Sequence, residues 1–206
     1  MSFVDDFLNK HKNDGLAERV FRGLAVSPYI RDIANLRLET LKDFPCLYEG
    51  DFGREIEHLE RIYLSSSDSW FLLYLSGAGV VGCIAITPLV MLTNDIKEQF
   101  IINGLEMSDY MYIGEAMLRK EYRGRGLFRN MLTFAEKQAK EIGKKYATFS
   151  CVERENMNNT DIKPENLTWE KFGYQKVTYD FIEKNWMRSD SHKVEANKLF
   201  LWEKYL

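Results

Sequence analysis

The sequence predicts one mixed α/β domain around a single sheet, and three observations carry that prediction. Amphipathic helical segments and short apolar strand segments alternate along the chain, as they must when one sheet is covered by helices. A length of 206 residues at 45% hydrophobic suffices for one real core and no more than an appended arm. No repeat, low-complexity tract or proline-rich linker divides it, the four prolines being dispersed. The domain is expected over residues 20–206. Residues 1–19, with Phe3, Val4, Phe7, Leu8 and Leu16 scattered among charges, are expected to form a helical arm packed on the body.

In chain order, Val20 to Val26 reads as a strand, and Ser27-Pro28 as a helix start with serine as cap. Ile30, Ile33, Ala34, Leu36, Arg37, Leu38 and Leu41 recur at helical spacing, stopping before Phe44-Pro45. Phe52, Ile56, Leu59, Ile62 and Tyr63 mark a second amphipathic helix from Phe52 to Leu64. Trp70 to Leu75 and Val80 to Thr87, joined by Ser76-Gly77-Ala78-Gly79, read as a hairpin. Asn94 to Leu105 reads as a short helix or an ordered insertion, and Tyr110 to Leu118 as a strand. A helix from Gly126 to Ile142 carries the apolar stripe Leu127, Phe128, Met131, Leu132, Ala135, Ala139, with Gly143 to end it. Tyr146 to Val152 is the next strand. A short helix from Pro164 to Phe172 and two late strands, near Tyr174 to Ile182 and Lys198 to Leu206, complete the chain.

Composition narrows the function classes. A net charge of −3 gives no global attraction for polyanions, so nucleic acid is not an expected partner. Cys46, Cys83 and Cys151 form no zinc spacing, and His11, His58 and His192 form no ligand pattern, so no metal site is expected. A reduced, cytoplasmic chain is the expectation, because the N-terminus lacks the basic start and apolar run of an export signal. The most apolar stretch, Val80 to Leu92, is short of the ~20 residues a spanning helix needs, so no membrane partner is expected. Cys151, mid-strand without an adjacent histidine, reads as a buried small residue.

The chemistry concentrates where a strand runs into Tyr122-Arg123-Gly124-Arg125-Gly126-Leu127-Phe128 and then into a helix. Amides of a glycine-bearing turn and of the first helical turn point outward together, and the helix dipole adds positive potential. Arg119, Lys120, Arg123, Arg125 and Arg129 crowd the same place. Phosphates are the natural ligand. A P-loop is excluded because Gly-x-x-x-x-Gly-Lys-Ser/Thr occurs nowhere, and a dinucleotide fingerprint fails because Arg129 stands at its third glycine.

Arg123-Gly124-Arg125-Gly126-Leu127, in this strand and helix context, resembles the pyrophosphate loop of the GNAT superfamily of acyl-CoA N-acyltransferases, although Phe128 departs at the last position. Thr168-Trp169-Glu170-Lys171-Phe172-Gly173-Tyr174 is similar to that family's late helix and strand start. The resemblance implies a central, mostly antiparallel twisted sheet flanked by helices, with strands splayed at the cofactor cleft. It also implies acetyl-CoA as acyl donor, its phosphates on Arg123, Gly124, Arg125, Gly126, Leu127 and Phe128, and its pantetheine arm along Met117, Leu118 and Arg119. It further implies an acceptor that is a small-molecule or peptide amine attacking directly, on a monomer or homodimer.

For catalysis, Glu115 lies on the strand beside the cleft. Under regular alternation it shares a face with Ile113 and Met117, an apolar setting that raises a carboxyl pKa. General base is one reading; a carboxylate paired with an arginine, or one binding a cationic substrate, is the other. Trp169 stands where relatives have a tyrosine acid, so the thiolate's proton falls to water or another hydroxyl such as Tyr48, or the backbone amide of Leu118 supports an unaided departure. Tyr48, Glu49 and Trp169 are the expected acceptor-site residues. Replacement of the usual acid also leaves a catalytically silent acyl-CoA sensor or scaffold as an alternative.

Overall fold

A computed structural model of the chain describes residues 15–154, 169–177 and 182–206. Within them, eight strands make one sheet: β1 (Ala17–Arg22), β2 (Trp70–Ser76), β3 (Gly79–Pro88), β4 (Tyr110–Leu118), β5 (Tyr146–Val152), β6 (Gln175–Lys176), β7 (Ile182–Met187) and β8 (Val194–Tyr205). The order is β1-β2-β3-β4-β5-β8-β6, with β7 also paired to β8. All pairs are antiparallel except β4 with β5.

Side chains alternate across each strand, so the sheet builds two cores. On one face, Phe71, Leu73, Cys83, Ala85, Tyr110, Tyr112 and Met117 pack against α1 (Ile30–Leu41), α2 (Phe52–Leu59) and α3 (Asn94–Ile102) through Ile33, Leu36, Leu59, Ile96 and Phe100. On the other, Leu72, Tyr74, Ile84, Ile86, Met111, Ile113 and Leu118 pack against α4 (Leu127–Glu141) through Leu127, Met131, Leu132, Ala135 and Ala139. β3 is buried almost throughout because helices cover both its faces.

Several expectations shift. β1 begins at Ala17 and ends at Arg22, so Ala17–Arg19 belong to the sheet rather than to an arm; Gly23, with φ +50°, turns the chain into a 3-10 segment over Gly23–Tyr29. Ser27 lies inside that segment and caps nothing: Tyr29 is the N-cap of α1, without a side-chain bond. α2 opens on Asp51, whose carboxylate accepts from the Arg54 amide at 3.1 Å, and it ends in a π-turn over Glu60–Leu64. The late strands are three, and β8 starts at Val194 rather than Lys198. The arm up to residue 14 and most of the Pro164 to Phe172 helix lie outside the described residues; Trp169 and Glu170 are helical and Gly173 ends a turn.

Two irregularities set up the site. β4 and β5 pair only through Tyr110 with Tyr146, Met111 with Ala147 and Tyr112 with Thr148, after which no pairing joins them. Their C-terminal halves splay. In β4 itself, Ala85 opposes Glu115 while Ile86 opposes Ile113, so Gly114 is the extra residue of a β-bulge. Among the described residues, no helix is long and apolar enough to cross a membrane.

Phe71, fully buried and edge-on to Tyr63 with centroids 5.1 Å apart, anchors the α1/α2 core. Phe71→Ala is expected to cost about 3–5 kcal/mol, read from the urea midpoint at unchanged m.

Candidate active site

The splay leaves one edge of β4 open. The Arg119 amide donates to the Val81 carbonyl at 3.0 Å, so Arg119 faces β3. By alternation Met117 faces β3 as well, while the amides and carbonyls of Ala116 and Leu118 point into the gap. Of the three residues expected to bond a pantetheine arm, only Leu118 therefore offers its main chain; Ala116, unrecognised in the sequence, joins it. Arg123 Nε holds the Leu118 carbonyl at 3.1 Å, which leaves the Leu118 amide as donor at the gap's mouth.

Gly126, in the left-handed conformation at φ +79°, is the N-cap of α4 and supplies no side-chain cap. The first bond of the helix runs from the Asn130 amide to the Gly126 carbonyl at 3.2 Å, so the amides of Leu127, Phe128 and Arg129 lack intrahelical acceptors. Gly124, at φ +76°, turns the same way, and open space lies where either glycine's Cβ would stand. Glycine is needed there for its conformation and leaves the approach to the amides clear. The sequence-level basic cluster is partly neutralised: Arg119 pairs with Glu39 at 3.0 Å and Lys120 with Asp43 at 2.9 Å, both on or just after α1. Arg125 donates to the Glu121 carbonyl at 2.8 Å and lies over the Tyr122 ring, and Arg129 lies over Phe172.

Phe128 turns inward, its ring 5.7 Å from that of Trp169 and 6.0 Å from Phe172. Trp169 in turn lies 4.4 Å from Phe149 of β5. The two departures from the family pattern thus pack on each other, on the α4 face. This separates Trp169 from Tyr48 and Glu115, which belong to the opposite face, and puts it beside the gap on the side of the glycine turn.

On the α1/α2 face, Glu115 is buried, 3% exposed, in a network that sequence reasoning saw only at its two ends. The bulge at Gly114 sends Ile113 to the other core, so Glu115 shares its face with Met117 and Tyr112. Arg37 Nη1 donates to Glu115 Oε2, Arg37 Nε donates to Glu55 Oε2 at 2.5 Å, and the Tyr48 hydroxyl donates to Glu55 Oε1 at 2.5 Å. Tyr63 reaches Glu115 Oε1 at 3.4 Å. The structure therefore joins Tyr48 to Glu115 through Glu55 and Arg37. Burial raises the Glu115 pKa above the ordinary value of 4.5, against the pull of Arg37, with Glu55 adding to the rise. Burial and then Glu55 push the Tyr48 pKa up, so this hydroxyl is held as a donor to Glu55 and is not poised to release its proton.

Glu49 stands apart: its carboxylate meets His192 Nδ1 at 2.7 Å, and its amide donates to the Met187 carbonyl at 2.8 Å, tying the loop to the β7–β8 end. At the apex of the splay, the hydroxyls of Tyr112 and Ser150 bond at 2.6 Å across the gap. Among the described residues, no group of His, Cys, Asp and Glu could hold a metal ion.

A profile of the acetyltransferase (GNAT) family matches residues 33–162. Among solved structures, the fold is similar to an acetyltransferase from Streptococcus agalactiae, at 14% identity and TM-score 0.59, covering 94% of this chain and 99% of that one. It is also similar to an acetyltransferase of the same family from Staphylococcus aureus, at 14% identity and TM-score 0.57, covering 92% and 99%. A third is a Salmonella typhimurium protein solved with its cofactor acetyl-CoA, at 11% identity and TM-score 0.56, covering 94% and 95%. No curated protein matches the sequence significantly.

A Cβ on Gly114 would stand 2.0 Å from the Tyr63 hydroxyl. Gly114→Ala is expected to cost about 1–3 kcal/mol, and less in a Tyr63→Phe background, because the hydroxyl is what it strikes; a urea double-mutant cycle reads the difference.

Proposed function

The chain belongs to the acetyltransferase (GNAT) family, and from that membership we propose that it transfers an acetyl group from acetyl-CoA to the amine of a small molecule or peptide. The observation that carries the reading is a buried carboxylate with a raised pKa, Glu115, on a strand whose edge opens into the β4–β5 gap beside the N-terminus of α4. The turn Arg123-Gly124-Arg125-Gly126-Leu127-Phe128 takes the donor's phosphates, chiefly on the helix-start amides of Leu127 and Phe128. The gap beside Ala116 and Leu118 takes the pantetheine arm in place of a neighbouring strand, and the neighbour solved with acetyl-CoA supports that choice of donor.

In the reaction, Glu115 accepts the amine's proton, and the Leu118 amide donates to the oxygen that becomes negative as the amine attacks. Arg37 and Tyr63 hold Glu115 in place. The Tyr112 and Ser150 hydroxyls lie at the closed end of the gap as donors to a departing thiolate. Trp169 and Phe128 wall the donor side, and Tyr48 fixes Glu55. We place the reaction in the cytoplasm, which suits a chain whose cysteines, far apart in sequence, form no disulfide or zinc framework spacing. The ion pair of Glu115 with Arg37 favours one other reading, a silent acyl-CoA-binding protein in which that carboxylate is purely structural.

Thiol release from acetyl-CoA over an amine panel separates the two, since binding without turnover on any amine supports the silent protein. Glu115→Gln keeps the shape of the site and leaves Glu55 to pair with Arg37. It is expected to lower kcat on the order of 10²–10⁴-fold with the KM for acetyl-CoA little changed. Because the base works ionised and its pKa lies above 4.5, wild-type kcat/KM should fall as pH drops through that raised pKa, and Glu115→Gln should lose this acidic limb. Gly126→Asp places a carboxylate at the phosphate site and should abolish acetyl-CoA binding by calorimetry in a folded protein; retained affinity refutes the loop assignment.

A further inference from the structure

Glu115 is too enclosed to meet an acceptor directly. Of the three side chains that meet its carboxylate, Arg37 and Tyr63 come from within the core, while His58 comes from α2 with its Nε2 3.8 Å from Glu115 Oε1. The His58 side chain is 36% exposed and lies in a wide, open cleft of about 610 Å³ along the outer side of α2 and its π-turn, with Arg54, Glu57, Glu60 and Arg61. Among these three, His58 alone lines that cleft. The π-turn over Glu60–Leu64 follows at once, so the segment that carries His58 toward the cleft also carries Tyr63 onto Glu115. Such insertions recur at functional sites in helices.

We propose that His58 carries the proton from the acceptor amine to Glu115, and that the amine is acetylated at the His58 end of this cleft. The inference rests on the reading of Glu115 as the base. The acceptor arrives as an ammonium and gives one proton to the imidazole, which passes one to Glu115. At 3.8 Å the two groups are not hydrogen-bonded, so a bridging water or a closure of about 1 Å completes the contact when the site fills. The nitrogen lone pair then forms the C–N bond at the thioester carbonyl, and the C–S bond breaks with its electron pair on sulfur. The thiolate takes the second amine proton. Amide and free thiol leave, and Glu115 returns its proton to solvent, so one ammonium and one thioester give one amide, one thiol and one proton.

The surroundings suit a neutral relay. Burial, and next Arg37 on α1, push the His58 pKa down to about 4; Arg61 beyond α2 and Lys184 on β7 add to this, and Glu55 opposes it. Glu115 on β4 lies beside the ring, and Arg54, Glu57 and Glu60 share its cleft. Near neutral pH the imidazole is therefore uncharged, with one nitrogen to accept and the other to donate. A bystander imidazole on a helix surface would need no such carboxylate behind it.

The test uses the intact chain, acetyl-CoA and the best acceptor from a panel of amino acids, polyamines, aminoglycosides and short peptides. His58→Gln should lower kcat on the order of 10²-fold with the KM for acetyl-CoA unchanged. Imidazole added to His58→Gly should raise its rate in proportion to the free base, which a structural role would not produce. A His58→Gln kcat within about twofold of wild type while Glu115→Gln is crippled, or a loss confined to the acceptor KM, overturns the relay and leaves the Glu115 base standing. Normal turnover in Glu115→Gln, or no thiol release with any amine, overturns both.

Discussion

One guanidinium between two buried carboxylates holds the site together. Arg37 bonds Glu55 of α2 and Glu115 of β4, so one side chain of α1 fixes two helices to the strand that borders the gap. Both carboxylates are 3% exposed and depend on it, since removing one member of a buried pair commonly costs about 3–5 kcal/mol. Yet one cation does not neutralise two anions. Burial and Glu55 together outweigh Arg37 and raise the pKa of Glu115, a property that suits the base we propose it to be.

The rest of the geometry makes that carboxylate useful. A regular β4 would put Glu115 and Ile113 on one face, and a continuous β4–β5 ladder would close the edge beside them. The bulge at Gly114 and the end of pairing after Tyr112 and Thr148 break both regularities within a few residues. Gly114 lacks the Cβ that would expel Tyr63, so the glycine that makes the bulge also admits the hydroxyl that touches Glu115. On the far face, the first turn of α4 lies toward the same end of β4, so the proposed donor and acceptor sides meet at one strand.

Elements governed by local patterning were legible in the sequence. β4 and β5 fall where the apolar runs put them, and α4 follows the glycine turn with its stripe against the sheet. The long-range pairings were not legible, because Arg37, Glu55, His58, Tyr63 and Glu115 meet only after α1 and α2 dock on β4. A signal existed: Arg37 interrupts the apolar stripe of α1, and Glu55 precedes Leu59 and Ile62 on the buried side of α2, which is where a charged residue needs a partner. The bulge left no such mark beyond Gly114. The packing of Phe128 on Trp169 joins two departures from the family pattern that read as unrelated in one dimension.

A crystal structure with acetyl-CoA bound tests the central claim most directly. The account predicts phosphates on the amides of residues 127–129, the arm bonded to Ala116, and the thioester in the gap on the side of Glu115 with its oxygen at the Leu118 amide. A donor bound elsewhere, or β4 and β5 paired along their whole length with Glu115 walled off from the thioester, would contradict it.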